Sequence, residues 1–140
     1  MASQNYRGFR FRRRRPDRRQ RAAGLLPHED IVYFGDTSRT PYGNRSRDTI
    51  LRYAGQDVSF LLSQKVKMVI AACGTVSSVA GDWVNNYPFP LPAWFPPTCR
   101  AAAKATKNKK IGVIATAATI GSGSYRKELK ALEPEIQVFE

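Results

Sequence analysis

"KVKMVIAACGTVSS", residues 65–78, is the stretch from which the rest of this chain is read. Residues 65–73 are dominated by apolar and β-branched side chains, which predicts a strand. Cys73, Gly74 and a run of small hydroxyl residues follow without a charge, leading into a predicted helix from about Val76 to Asn86. A strand feeding directly into a helix is the repeating unit of a parallel α/β sheet, so the same alternation should recur on both sides.

It does. Upstream, "DIVYFGD" (30–36) reads as a short buried strand and "SRDTILRYAGQDVSFLLSQ" (46–64) as an amphipathic helix. In that helix Ile50, Leu51, Ala54, Val58, Leu61 and Leu62 recur at helical spacing, while Arg47, Asp48, Arg52 and Asp57 fill the other side. Downstream, the prolines of "YPFPLPAWFPPT" (87–98) argue against helix and leave at most a short strand at 91–95. "CRAAAKATK" (99–107) predicts a short helix, "KKIGVIATAA" (109–118) a strand, "SYRKELKAL" (124–132) a helix and "IQVFE" (136–140) the start of another strand. The expected fold class is α/β, a parallel sheet flanked by helices and joined by right-handed crossovers.

At 140 residues the chain is long enough for one ordinary domain with a real core. Its net charge of +12 is unevenly placed: residues 1–24 hold nine arginines against one acid, Asp17, leaving +4 for the remainder. That leader lacks any helical or strand period and its like charges repel, so it reads as disordered. Two cysteines, 73 and 99, with no CxxC and a single histidine, His28, match neither a disulfide framework nor a zinc spacing, and favour a reducing, cytoplasmic setting. The longest uncharged run near the opening stretch, Met68–Gly81, is short of the roughly 20 apolar residues a membrane span needs, and the leader has no signal-peptide core.

In parallel α/β sheets ligands gather at the carboxyl ends of strands, where helix N-termini present free N–H groups. Those ends here are "GDTSRTPYG" (35–43), "CGTVSS" (73–78) and "TAATIGSGS" (116–124), rich in Gly, Ser and Thr and suited to a small anion such as a carboxylate. Cys73 falls where a helix dipole favours a thiolate. A free cysteine is also among the most commonly buried residues, and beside Ala71 and Ala72 it could simply fill a gap. Cys99, after a double proline and before an alanine-rich helix, reads as packing, and His28 as a surface or hinge residue.

"LPHEDIVYFGDTSRTPYGNRS", "VIAACGTVSSVA" and "RAAAKATKNKKIGVIATAATIGSGSY" together resemble the glutamate racemases of the cofactor-independent aspartate/glutamate racemase family, from about Leu26 to Glu140. The resemblance implies part of a two-domain α/β enzyme that interconverts L- and D-glutamate for bacterial peptidoglycan. One cysteine thiolate removes the α-proton and a second thiol delivers a proton from behind, with no cofactor or metal. Inversion at carbon requires an acid and a base on opposite faces. On this resemblance Cys73 is the first catalytic cysteine, Gly74 and Thr75 complete its substrate-holding motif, and Pro41, Tyr42 and Gly43 form a substrate loop. Thr116 and Thr119 border the cleft at the second domain's first strand. Residues 25–98 then form a partial first domain and 99–140 the start of a second.

The chain departs from that family in four places. The arginine-rich leader stands where an Asp-Ser-Gly-x-Gly-Gly loop is expected, as a frame-shifted reading of glycine codons would produce. Gly74 replaces an asparagine, Pro96 replaces a carboxylate, and no second Cys-Thr-His motif occurs, Cys99 lying in the wrong segment to substitute. The expectation is a racemase by descent, truncated and inactive or impaired, its glutamate site half built. An exposed sheet edge would favour association with a second copy. The competing expectation is a degenerate α/β module that binds nucleic acid or other polyanions through the leader, where Tyr6, Phe9 and Phe11 interleave with arginines.

Overall fold

The computed structural model describes residues 24, 25, 27–88, 91 and 95–140. The chain divides into two units, Met1–Gly35 and Asp36–Glu140. Residues 1–23 of the leader at 1–24, with the disorder and polyanion binding expected of it, lie outside the described residues. In the first unit, residues 27–29 form a turn and 30–35 have no regular secondary structure.

Helix α1 spans Arg47–Ser63. The Ser46 hydroxyl accepts from the Thr49 N–H at 3.3 Å, and Asp48 sits in the first turn, where a negative charge complements the helix dipole. Ile50, Ala54 and Val58 recur every fourth residue and form its buried stripe. Helix α2 (Gly74–Ala80) passes into a 3₁₀ helix (Gly81–Asn86), so the single predicted helix 76–86 is two. At the joint Gly81 adopts φ 48°, a left-handed value that glycine takes without strain.

Helix α3 (Phe95–Ala105) begins four residues before the sequence predicted, absorbing Pro96 and Pro97. Its first turn has no intrahelical use for backbone N–H groups, so proline is tolerated there and the expectation of a helix-free 87–98 fails. Strand β1 (Lys110–Gly112), helices α4 (Ala117–Gly121) and α5 (Ser124–Leu132) and strand β2 (Gln137–Phe139) complete the order. The two strands pair in parallel with Ile111 opposite Val138, as the α/β reading requires. Bonds from the Gln137 N–H to the Lys109 carbonyl (2.7 Å) and from the Val113 N–H to the Phe139 carbonyl (2.8 Å) extend the ladder.

Two predicted strands are not strands. Residues 66–73 and 30–35 carry no regular secondary structure: among the described residues neither has a ladder partner, and a parallel strand exists only through one. Val32, Tyr33 and Phe34 are therefore exposed rather than buried, and Met68 and Ile70 are exposed while Val69 alone of their run is buried. Ile114, just past β1, is fully exposed. No helix among the described residues is long and apolar enough to cross a membrane.

Three apolar clusters hold the second unit. Tyr42, Ile50, Ala54, Val76 and Val79 join α1 to α2. Val58, Val69 and Leu91 form the next. Cys99, Leu129 and Ile136 seal α3 and α5 against the sheet, with Ile111 and Val138 packed alongside. Leu129 and Ile136 are essentially inaccessible, so Leu129→Ala should lower stability by about 2–5 kcal/mol and Ile136→Val by about 0.5–1.5 kcal/mol. Urea titration measures both; equal, negligible losses would mean that this cluster does not hold the fold.

Candidate functional site

Three chain segments meet at the N-terminal ends of α2 and α4. The first is the loop 36–43 ahead of α1. Its Gly43 lies so close to Thr116 that a Cβ added there would stand 2.6 Å from the threonine Cβ and Cγ2. Only hydrogen fits in that space. The Gly43 carbonyl accepts the Ala118 N–H at 3.0 Å, which ties the loop to the first turn of α4. Pro41 is exposed, whereas Tyr42 and Gly43 are buried.

The second and third segments supply hydroxyls. Thr75 and Thr116 share a hydrogen bond at 3.1 Å, and Thr116 and Thr119 another at 3.0 Å. Thr116 caps α4, its hydroxyl accepting from the Thr119 N–H at 3.4 Å. Sequence reasoning missed α4 as a helix, although the threonine pair three residues apart is a capping signal. Thr75 and Thr119 are buried and Thr116 is exposed, so the chain of three hydroxyls reaches from core to surface.

Cys73 occupies the N-cap position of α2 with extended backbone, and its side chain makes no capping bond. The thiol is exposed, not packed against Ala71 and Ala72. Gly74 follows, with open space where a side chain would project. The serines are another matter. Ser77 donates to the Ala71 carbonyl (2.9 Å), Ser78 to the Gly74 carbonyl (2.8 Å), Ser122 to the Thr119 carbonyl (2.7 Å), and Ser124 to the Ser78 carbonyl. Their hydroxyls join turns together, so of the hydroxyls expected to suit these segments to a small anion, those of the serines are already engaged.

Sequence reasoning also missed the polar knot that seats the loop. The Arg39 guanidinium reaches Asp36 through Nε (2.6 Å) and Asp57 through Nη2 (2.5 Å), bonds Gln56, and lies 4.6 Å above the Tyr53 ring. Tyr42 donates its hydroxyl to Asp36, with Asp57 3.2 Å away. Burial, reinforced by the bond to Asp36, pushes the Tyr42 phenol above its ordinary range, so it stays a donor. Burial also pushes the Asp57 carboxyl up; the Arg39 charge pulls it down and Asp36 pushes it up again.

The remaining candidates lie elsewhere. Cys99 is buried beside Leu129 and Ile136, and burial, with a smaller contribution from Glu128, pushes its thiol up to about 11. His28 is exposed in the turn at 27–29.

Fold and site together define a parallel α/β protein with an exposed thiol at a helix N-terminus beside a glycine and threonine cluster. No protein-family model matches the chain. It is 46% identical over 114 residues to the glutamate racemase of Streptococcus suis, a match covering 81% of this chain and 43% of that protein. The crystal structure of a glutamate racemase isoform from Bacillus anthracis superposes with a TM-score of 0.80 at 34% identity, covering 86% of this chain and 46% of that one. The Francisella tularensis glutamate racemase, solved in complex with D-glutamate, gives a TM-score of 0.70 at 40% identity over 84% of this chain and 44% of that one. Over most of its length the chain is similar to glutamate racemases, and it spans somewhat less than half the length of these relatives.

The Gly43 contact yields a paired test. Gly43→Ala should destabilise the chain by about 1–3 kcal/mol, because the methyl group must displace Thr116. Thr116→Gly in the same chain should recover most of that loss, since it removes both atoms the methyl would strike. Non-additivity in a denaturant double-mutant cycle is the measure; strictly additive losses would refute the contact.

Proposed function

We propose that this chain carries one catalytic face of a glutamate racemase: Cys73 is the thiol base, and the Gly43 loop with Thr75, Thr116 and Thr119 holds the substrate. The observation that carries this reading is the exposed, uncommitted Cys73 thiol at the head of the helix whose first turn contributes Thr75 to the threonine chain. The family resemblance supplies the substrate, glutamate, and the role of Pro41, Tyr42, Gly43 and Gly74 beside it. Tyr42 contributes through the backbone it holds in place, since its hydroxyl is engaged by Asp36 and Asp57. The family's role, supply of D-glutamate for cell-wall peptidoglycan in the cytoplasm, is the setting this reading implies.

The chemistry expected of these residues is one-sided. The Cys73 thiolate takes the α-proton of glutamate, leaving the electron pair on the α-carbon, and the resulting thiol returns a proton to the same face. Delivery from the opposite face needs a second acid, and Cys99, buried in an apolar cluster with a thiol pushed up to about 11, is not one. In deuterated water one enantiomer of glutamate should therefore gain α-deuterium with retained configuration. Cys73→Ala should lower that exchange by about two to four orders of magnitude. Mass spectrometry with chiral chromatography reads both; exchange that persists in Cys73→Ala removes the thiol from the mechanism, and no exchange in the parent chain removes the activity.

The open space at Gly74 supports a gain-of-function test. A Cβ there meets nothing within 4 Å, and an asparagine supplies an amide able to bond a charged ligand, typically worth ~1.5–3 kcal/mol. Gly74→Asn should tighten glutamate binding by roughly 10-fold or more by calorimetry. Unchanged or weaker affinity would place the substrate away from the head of α2.

A further inference from the structure

We propose that Arg39 is a positioning residue for the glutamate site, acting through Tyr42 and Gly43 on the threonine chain. The inference rests on the reading of that site given above, but its structural half stands without it. Asp36 and Asp57 come from a loop and a helix 21 residues apart, and both face the single hydroxyl of Tyr42. A phenol carries one proton and can donate to one carboxylate at a time. The second carboxylate would face the first with no proton between them, and like charges at that range repel. Arg39 resolves this by bonding both, with Gln56 on its third nitrogen and the Tyr53 ring beneath its plane.

What Arg39 secures is transmitted along the chain. With both carboxylates neutralised, Tyr42 stays buried; with Tyr42 buried, its neighbour Gly43 lies against Thr116 and accepts the Ala118 N–H. Thr116 in turn meets Thr75, two residues from Cys73. Arg39 therefore sets the register between the loop and the head of α4 without touching the threonine chain itself. Lysine cannot replace it fully, because a point charge cannot span three acceptors in one plane.

The test is amide hydrogen exchange by NMR on Arg39→Met, Arg39→Lys and the charge-compensated Arg39→Met/Asp57→Asn. The Ala118 amide, bonded to Gly43, reports the site, and the Gln137 amide, bonded to Lys109 in the distant sheet, is the control. Arg39→Met should lower Ala118 protection at least ~10-fold while Gln137 changes less than about twofold, the signature of local opening. Arg39→Lys should fall between, and the compensated pair should recover much of the loss. Parallel loss at both amides, or none at Ala118, overturns the proposal. If Arg39→Met does not fold, Arg39→Lys and Asp57→Asn carry the same comparison.

In the deuterium-exchange assay, Arg39→Met should raise the KM for glutamate at least ~10-fold with a smaller change in kcat, since a displaced loop weakens holding more than proton transfer. A fall in kcat at constant KM contradicts the proposed route. A parent chain that neither binds nor exchanges glutamate refutes the functional reading instead, and the Ala118 comparison still decides the role of Arg39.

Discussion

The site depends on the approach of Gly43 to Thr116, close enough that no side chain fits between them. Two segments more than seventy residues apart are held in van der Waals contact and joined by the bond from the Ala118 N–H to the Gly43 carbonyl. Once they are fixed, the Thr116 hydroxyl has two neighbours to satisfy, Thr119 in its own helix and Thr75 at the head of α2. A methyl group at position 43 would oppose this whole set, so the absence of a Cβ there acts over a distance far larger than its own volume.

Charge makes that approach stable from the other side. Taking two carboxylates out of water beside each other costs free energy that one phenol hydrogen cannot recover, and a guanidinium shared between them can. Arg39 does so at the edge of the protein, where its plane also covers an aromatic ring. The apolar cluster beneath, which includes Tyr42 itself with Ile50 and Ala54, gives the knot a rigid base on α1. Burial and polarity thus cooperate in one residue: the Tyr42 ring packs and its hydroxyl organises.

The two cysteines show how strongly position decides chemistry. Cys99 lies among Leu129 and Ile136, where burial disfavours its thiolate. Cys73 lies at a helix start in the open, with no capping duty. The first fits the behaviour of a small apolar side chain, the second that of a reactive group, and the two arise in one chain from the same residue type. Similarity to the glutamate racemases strengthens the functional reading of Cys73, while the greater length of the relatives leaves their complete reaction a matter for experiment.

Local pattern carried much of this. The fourfold spacing of Ile50, Ala54 and Val58 defines α1, the alternation of strands and helices defines the α/β class, and the junction at Cys73 is legible because a strand-like run ends there in small uncharged residues. Where the reading failed, either a remote partner was decisive or a local allowance overrode the pattern. Residues 66–73 look like a strand but have no ladder among the described residues, and Pro96 and Pro97 begin a helix because its first turn asks for no N–H bonds. Which hydroxyls join turns and which line the site also escaped, since serine and threonine look alike in sequence until their acceptors are in place.

The sequence by itself determined that α1 and α5 are helical, which face of α1 is apolar, where the thiol sits relative to a helix start, and the family that the chain resembles. Those properties are written in neighbours a few residues apart, within reach of periodicity and capping. Tertiary structure alone decided that Arg39 binds Asp57, that Tyr42 gives its hydroxyl to Asp36, that Gly43 meets Thr116, and that the Cys73 thiol is open. The physical reason is range: ion pairs, shared protons and close backbone approaches are set by distances in space, and residues separated by eighteen or seventy positions leave no local mark of their meeting.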